Sequence, residues 1–347
     1  MSVQADIFFW ELICIFSRNT KLYPMKRIAL LTSGGDSPGM NAAVRAIVKS
    51  CLFHGIVPVG IRDGYKGMVE GDLFEMNYSD VENVIHTGGT ILGSSRCLDF
   101  LKVETRKIAI ANLIKLQVDG LIVIGGDGTF TGASVLSSEM GIPVIGIPGT
   151  IDNDIYGTDH TIGYDTALNT VIDAIDKIRD TASSHHRIFF IEVMGRHAGF
   201  IALNAAVASG AESVLIPEKT PDLGQLVYDI KTQYKGRRSS IIVVAEGEQE
   251  GGSLEIVNKV APLLEGYELR PTVLGHIQRG GRPSAFDRIL ATRMGAYAVE
   301  MLMAGQTGVM IGCEGDKLIT TSLDQAVKLH KSPDMKKLDL LNKMLTR

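Results

Sequence analysis

Along this chain, apolar and mostly β-branched runs repeatedly stop at a polar, glycine-rich turn, a pattern that narrows the possible folds more than any other feature. The runs are RIALL (27–31), GLIVI (120–124), PVIGI (143–147), RIFFIEV (187–193), SVLI (213–216) and SIIVVA (240–245). Continuous rather than alternating hydrophobicity predicts strands covered on both faces, as in parallel sheets. Amphipathic stretches at 41–53, 105–117, 167–182 and 288–305 predict helices between and after them. Strands alternating with helices give βαβ units and an α/β fold.

At 347 residues the chain exceeds what one core usually supports, so two lobes are expected. Length puts their boundary near 150–165, giving a first lobe over 25–160 and a second over 161–320. A C-terminal segment is expected to return to the first lobe, with a tail over 321–347. Residues 1–24 read as an appendage outside the fold, with a short membrane-surface helix as the less favoured reading. Their apolar stretch, Ile7 to Phe16, is too short to span a bilayer and contains Glu11. No basic segment precedes it and no small-residue cleavage site follows, which argues against a signal peptide.

A formal charge of −4 provides no global basic field for nucleic acid, so any anionic ligand must be met by a local cluster. Cys14, Cys51, Cys97 and Cys313 form no CxxC pair and no metal-type spacing, which reads as free thiols in a reducing, cytoplasmic setting.

The segments after the strands carry the chemistry. They are TSGGDSPG, GGDGTF, PGTIDND, MGRHAG and EGEQEGG, and ligands of open α/β sheets bind outside the carboxyl ends of strands. GGDGTF (125–130) leads into a helix whose first amides can hold a phosphate. An Asp among such glycines, Asp127, suits Mg2+, a hard cation that takes one or two carboxylates and leaves its other positions to water and phosphate. A turn or N-cap role is the alternative. TSGGDSPG (32–39) and TGGTILGSSR (87–96) add two similar loops, together pointing to a polyphosphate. Thr150, Asp152 and Asp154 of PGTIDND offer a carboxylate base for an attacking hydroxyl, weighed against an Asx-turn. Arg96, Arg187, Arg196, Arg270 and Arg279 offer forked donors for phosphate oxygens. In GHIQRGG, glycines flank His276 and Arg279, and Glu246 follows a buried strand where it can accept from sugar hydroxyls.

TSGGDSPGMNAAVR, GGTILGSSR, GGDGTF, PGTIDNDIYGTDHTIG, MGRHAG and TVLGHIQRGG, in that order, resemble the signature segments of bacterial 6-phosphofructokinase over about residues 26–320. The resemblance implies two Rossmann-like lobes with mainly parallel sheets and the active site in the cleft between them. It implies transfer of the ATP γ-phosphoryl group to the 1-hydroxyl of fructose 6-phosphate by a cytoplasmic homotetramer, with no nucleic acid or membrane partner. Carried over by position, Gly35, Arg96, Cys97, Gly126, Asp127, Gly128 and Thr129 would contact ATP, with Asp127 at Mg2+. Asp152 would be the base, with Thr150, Arg196 and Arg96 beside the transferring group. Ile151, Met194, Gly195, Glu246, His276, Ile277, Gln278 and Arg279 would form the sugar-phosphate site, with Arg187 and Arg270 supplied by a neighbouring subunit.

Pyrophosphate-dependent relatives carry Asp at the position of Gly128 and Lys at that of Gly149. Glycine at both implies ATP, the pyrophosphate enzyme and a non-catalytic nucleotide sensor being the alternatives. An effector site for ADP or GDP as activator and phosphoenolpyruvate as inhibitor is implied at Arg45, Lys49, Arg179, Gly210, Glu212, Lys235, Arg237 and Arg238. Lys49 stands where arginine is usual, and Asp72 lies near an expected basic position.

Overall fold

The computed structural model describes residues 25–183, 187–232 and 240–345. Among these, the strands are β1 (Arg27–Thr32), β2 (Val57–Ile61), β3 (Leu73–Glu75), β4 (Gly120–Gly125), β5 (Val144–Pro148), β6 (Arg187–Val193), β7 (Ser213–Leu215), β8 (Ser240–Ala245), β9 (Glu268–Val273), β10 (Val309–Glu314) and β11 (Lys317–Ser322). All six expected strands form. Of the five others, β3, β9 and β11 lack an apolar run, while β2 (VPVGI) and β10 (VMIGCE) carry runs that the sequence reading passed over. β9 reads ELRPTV, and its Pro271 is tolerated because the strand is an edge that pairs only with β6.

The strands form a seven-stranded sheet, β11-β10-β5-β4-β1-β2-β3, and a four-stranded sheet, β7-β8-β6-β9. Only β3 and β11 run antiparallel. Both sheets are covered on two faces. Ile28, Leu30, Ile122 and Ile124 enter one core of the large sheet, while Ala29, Leu31, Leu121 and Val123 enter the other, the period-two alternation that a strand imposes. In the small sheet Ile191 and Val193 point to one core, Ile188 and Phe190 to the other.

From β1 the chain moves to β2 on one side and later to β4 on the other. The loops leaving β1 and β4 therefore diverge and open a crevice at this switch point. The small sheet has its own reversal at β6, which lies between β8 and β9.

The expected lobe boundaries need correction. Helix Ala285–Met303 packs on helix Met40–Phe53, and β10 joins β5, so residues 285–320 build onto the first lobe rather than the second. Close helix contact depends on Gly295, where a Cβ would come 2.8 Å from the Ala43 carbonyl oxygen. A boundary at 320 would cut β11. The segment beyond it is no separate tail, because helix Leu323–Lys328 packs on helix Asp127–Met140 and helix Lys336–Leu345 on helix Phe200–Ser209.

Cys51, Cys97 and Cys313 are free thiols, and burial pushes Cys51 up to about 12. Among the described residues no helix is long and apolar enough to cross a membrane. The expected appendage, residues 1–24, lies outside the described residues, as do the effector candidates Lys235, Arg237 and Arg238.

Candidate active site

The crevice at the switch point widens into a cavity of about 690 Å³ lined from both lobes. One wall is the loop after β1. Ser33 N donates to the Ile124 carbonyl at 3.0 Å, and the Thr129 hydroxyl donates to the Ser33 carbonyl at 3.1 Å, which holds this loop against the start of helix Asp127–Met140. The third glycine loop is tied to the first: the Thr32 hydroxyl donates to the Gly93 carbonyl at 2.7 Å, and the Ser94 hydroxyl reaches the Gly34 carbonyl. Gly126 precedes the 14-residue helix in extended conformation without a side-chain cap, leaving the first amides of the helix facing the cavity lining.

The opposite wall begins at the end of β5. Gly149 N donates to the Gly125 carbonyl at 3.0 Å, and Asp152 N to the Thr150 hydroxyl at 3.2 Å. Asn153 sits in the left-handed region at φ 56, with its Oδ1 accepting from Thr161 N at 2.9 Å. This turn puts Asp152 on the cavity wall. The side chain is 3 % exposed, and its Oδ1 is buried without a hydrogen-bond partner.

Burial pushes the Asp152 carboxyl up to about 6, with Asp154 and Glu246 adding to the rise and Arg279 and Arg196 opposing it. Asp127 is likewise pushed up to about 6, first by burial and then by Asp154, against Arg196 and His330. Asp154 is raised by burial, with Arg196, Lys331 and His330 drawing it back. A buried acid and two half-buried ones facing basic groups across a cleft are the arrangement a divalent cation and an anionic ligand would complete. The described residues contain no group of three or more His, Cys, Asp or Glu able to hold a metal by themselves. Asp127 instead fits an ion that takes most of its oxygens from phosphate and water.

Of the sequence-predicted residues, Gly35, Arg96, Cys97, Gly126, Asp127, Gly128, Thr129, Thr150, Asp152, Arg196, His276 and Arg279 line this one cavity. Arg279 lies against the first glycine loop: its Nη1 donates to the Asp36 carbonyl at 3.3 Å, and a Cβ on Gly35 would fall 2.3 Å from that atom. Other predicted residues act behind the wall. Glu246 Oε1 accepts from Arg196 N at 2.7 Å and Gly195 N at 3.3 Å, fixing the turn that presents Arg196 at φ 53. The side chain of Gln278 is fully buried, its Oε1 accepting from Met194 N at 3.1 Å and its Nε2 donating to the Gly275 carbonyl at 3.0 Å. Ile151 and Met194 belong to the core of the smaller lobe, which leaves their backbone as the part able to meet a ligand. Ile277 is 57 % exposed.

Arg187 and Arg270 are not on the cavity. Both pair with Glu268 at the starts of β6 and β9, the ends of the strands opposite the loops of the site; Arg187 Nε lies 2.9 Å from the carboxylate. Among the effector candidates, Arg45 and Lys49 lie on helix Met40–Phe53, with Lys49 Nζ 5.8 Å from the Tyr78 ring centroid. Arg179 donates to the carbonyls of Ser209 and Gly210 at 3.0 and 3.3 Å, and Glu212 accepts from Ile241 N at 2.7 Å. Asp72 is ion-paired with Arg62 at 3.0 Å.

The sequence reading missed the floor beneath the Arg96–Cys97 loop. Tyr65 stacks on Phe100 at 4.3 Å and donates to the Thr129 carbonyl at 2.6 Å. Arg106 pairs bidentately with Glu139 and donates to the carbonyls of Phe100 and Leu101 at 3.0 and 2.7 Å. Nothing in the sequence marked Arg106, which reads there as one more cation on an amphipathic helix, whereas in the structure it is buried. Arg106→Met should loosen the 98–101 turn and raise KM for a bound nucleotide severalfold with a smaller change in kcat, measurable by steady-state kinetics.

Comparison with known proteins agrees with this geometry. The phosphofructokinase family model matches residues 27–302. ATP-dependent 6-phosphofructokinase 2 of Bacteroides thetaiotaomicron is 50 % identical over 319 residues, covering 92 % of this chain and 97 % of that protein. ATP-dependent 6-phosphofructokinase of Bacillus subtilis is 55 % identical over 296 residues, covering 85 % and 92 %. Among solved structures, phosphofructokinase from Saccharomyces cerevisiae superposes with a TM-score of 0.81 at 37 % identity, over 92 % of this chain and 47 % of the longer yeast chain. A pyrophosphate-dependent phosphofructokinase from Marinobacter aquaeolei gives 0.79 at 24 % identity over 90 % of this chain and 86 % of that one, a likeness of fold alone. With its ordered loops, its cleft and these relatives, the chain belongs to the phosphofructokinase family.

Proposed function

We propose that the chain is an ATP-dependent 6-phosphofructokinase that moves the γ-phosphoryl group of ATP to the 1-hydroxyl of fructose 6-phosphate, giving fructose 1,6-bisphosphate and ADP. The observation that carries the reading is Asp152, a buried carboxylate with an unpartnered oxygen, on the same cavity as the amide-rich end of helix Asp127–Met140. In its ionised form Asp152 accepts the proton of the 1-hydroxyl as that oxygen bonds to the γ-phosphorus and the bond to ADP breaks. Arg196 and Arg96 offset the charge that develops on the transferring group, and the Thr150 hydroxyl orients it. Asp127 would hold Mg2+, which would supply charge neutralisation to the transferring phosphates. Arg279 and His276 hold the 6-phosphate, while Glu246 keeps Arg196 in place.

ATP as donor is supported by space at Gly128, where a Cβ would meet no atom within 4 Å, so a nucleotide can pass close to the backbone. At Gly149 a Cβ would come within 3.0 Å of Ile124 Cγ2 and Met40 Cε, so a side chain there needs the core to yield. Arg187 and Arg270 lie off this chain's own cavity, which supports their completing the sugar site of a neighbouring subunit; the assembly proposed is a homotetramer and its setting the cytoplasm.

A coupled assay with ATP, Mg2+ and fructose 6-phosphate tests the reading, and turnover with pyrophosphate instead of ATP would overturn the donor. Arg279→Ala should raise KM for fructose 6-phosphate about tenfold or more, as loss of a binding contact does. A variant with lower kcat at unchanged KM would remove Arg279 from the phosphate site.

A further inference from the structure

The turn that carries Asp152 and Asp154 is braced from behind by a C-terminal segment that supplies no cavity-lining residue. His330 makes an antiparallel bridge with Ile155, which brings Lys331 under the loop. Lys331 Nζ donates to the Asp159 carbonyl at 2.8 Å, and the same carbonyl accepts from Asn153 Nδ2 at 3.2 Å. Asn153 is the left-handed residue between the two acids, so this shared acceptor is a fixed point of the turn. The same ammonium lies 4.9 Å from the Phe200 ring centroid, within cation–π reach. Phe200 opens the helix that begins four residues beyond Arg196. One cation thus touches the support of the base and the support of the arginine.

We infer that Lys331 is a positioning residue for phosphoryl transfer, tying the Asp152–Asp154 turn to the segment behind Arg196 so that base and arginine keep their placement across the cleft. Several charged and titratable groups face the ammonium. Asp159, Asp154 and the Cys313 thiol favour its charge, Lys337 opposes it, and His160 and the adjacent His330 lie beside the same acids. Burial outweighs them and pushes Lys331 down to about 8, so its charge is present below that pH and lost above it. A lysine stem would fill the same space uncharged, and the test therefore separates charge from packing.

The inference rests on the phosphotransferase reading, and wild-type turnover with ATP, Mg2+ and fructose 6-phosphate is the control whose absence would sink that reading instead. Lys331→Met should lower kcat about tenfold, the effect of a modest misplacement of reacting groups. Both KM values should stay within about twofold, and Lys331→Arg should keep kcat within about threefold of wild type. Above pH 8 the wild-type kcat should decline while the arginine variant holds its rate, because guanidinium does not titrate there. A methionine variant with wild-type kcat, or wild-type and arginine profiles that coincide above pH 8, overturns the assignment. If the methionine variant fails to fold, the comparison of those two profiles decides alone.

Discussion

Asp152→Asn should fold and bind substrates yet lose about 10²- to 10⁴-fold in kcat, the range that a positioned base contributes. Undiminished turnover would remove Asp152 as the proton acceptor. In the wild type the carboxyl is pushed up to about 6 by burial, so kcat should be full above that pH and fall as pH drops through it. The same shift has a sign for stability. A carboxylate whose folded pKa lies above its unfolded value of 3.8 destabilises the fold when ionised, and the penalty is present above about 6 and absent below about 4. Two pKa units correspond to about 3 kcal/mol as an upper bound. Asp152→Asn should therefore raise the melting temperature at neutral pH, with the gain vanishing toward pH 4. A gain independent of pH would locate the effect in packing rather than in charge.

Gly125→Ala should damage fold and function together. A Cβ at this last residue of β4 would fall 2.3 Å from Thr129 Oγ1 and 2.4 Å from the Ser33 carbonyl oxygen, so backbone must move. Those are the groups that clamp the loop after β1 to helix Asp127–Met140. Overpacking of this kind costs about 1–3 kcal/mol. Spreading the nucleotide loops by about 1 Å should cost on the order of 10²-fold in kcat/KM for ATP. Denaturant unfolding and steady-state kinetics read the two effects, and an alanine variant with wild-type values for both would show that the clamp is slack.

Much of this was legible because chemistry and backbone geometry coincide in short segments. The strand runs are continuous since both sheets are covered twice, and the glycine turns mark the carboxyl ends where the cavity opens. Asp127, Asp152, Arg196 and Arg279 could be singled out as polar groups in or beside glycine turns, and all four line the cavity, but their roles came from the resemblance because a turn or cap remained open to the acids. What escaped the sequence depends on partners far along the chain. Arg106 looks like any helix-surface cation until Glu139 and the carbonyls of Phe100 and Leu101 are seen around it. Gln278 sits inside the GHIQRGG motif, yet both of its polar atoms serve the backbone of neighbouring segments. β9 carries charge and proline since it is an edge, and no apolar pattern could announce it. The return of a C-terminal segment to the first lobe was expected, but that it begins as early as residue 285 is a matter of helix packing at Gly295, which periodicity alone does not specify.

That late return bears on biosynthesis. A nascent polypeptide released only as far as the end of β5 would carry an unpaired strand edge, and helix Met40–Phe53 would show water the apolar stripe that helix Ala285–Met303 later covers. The ribosome must deliver nearly the whole message before the first-made half can close, so that half stands open to aggregation or chaperone capture throughout elongation.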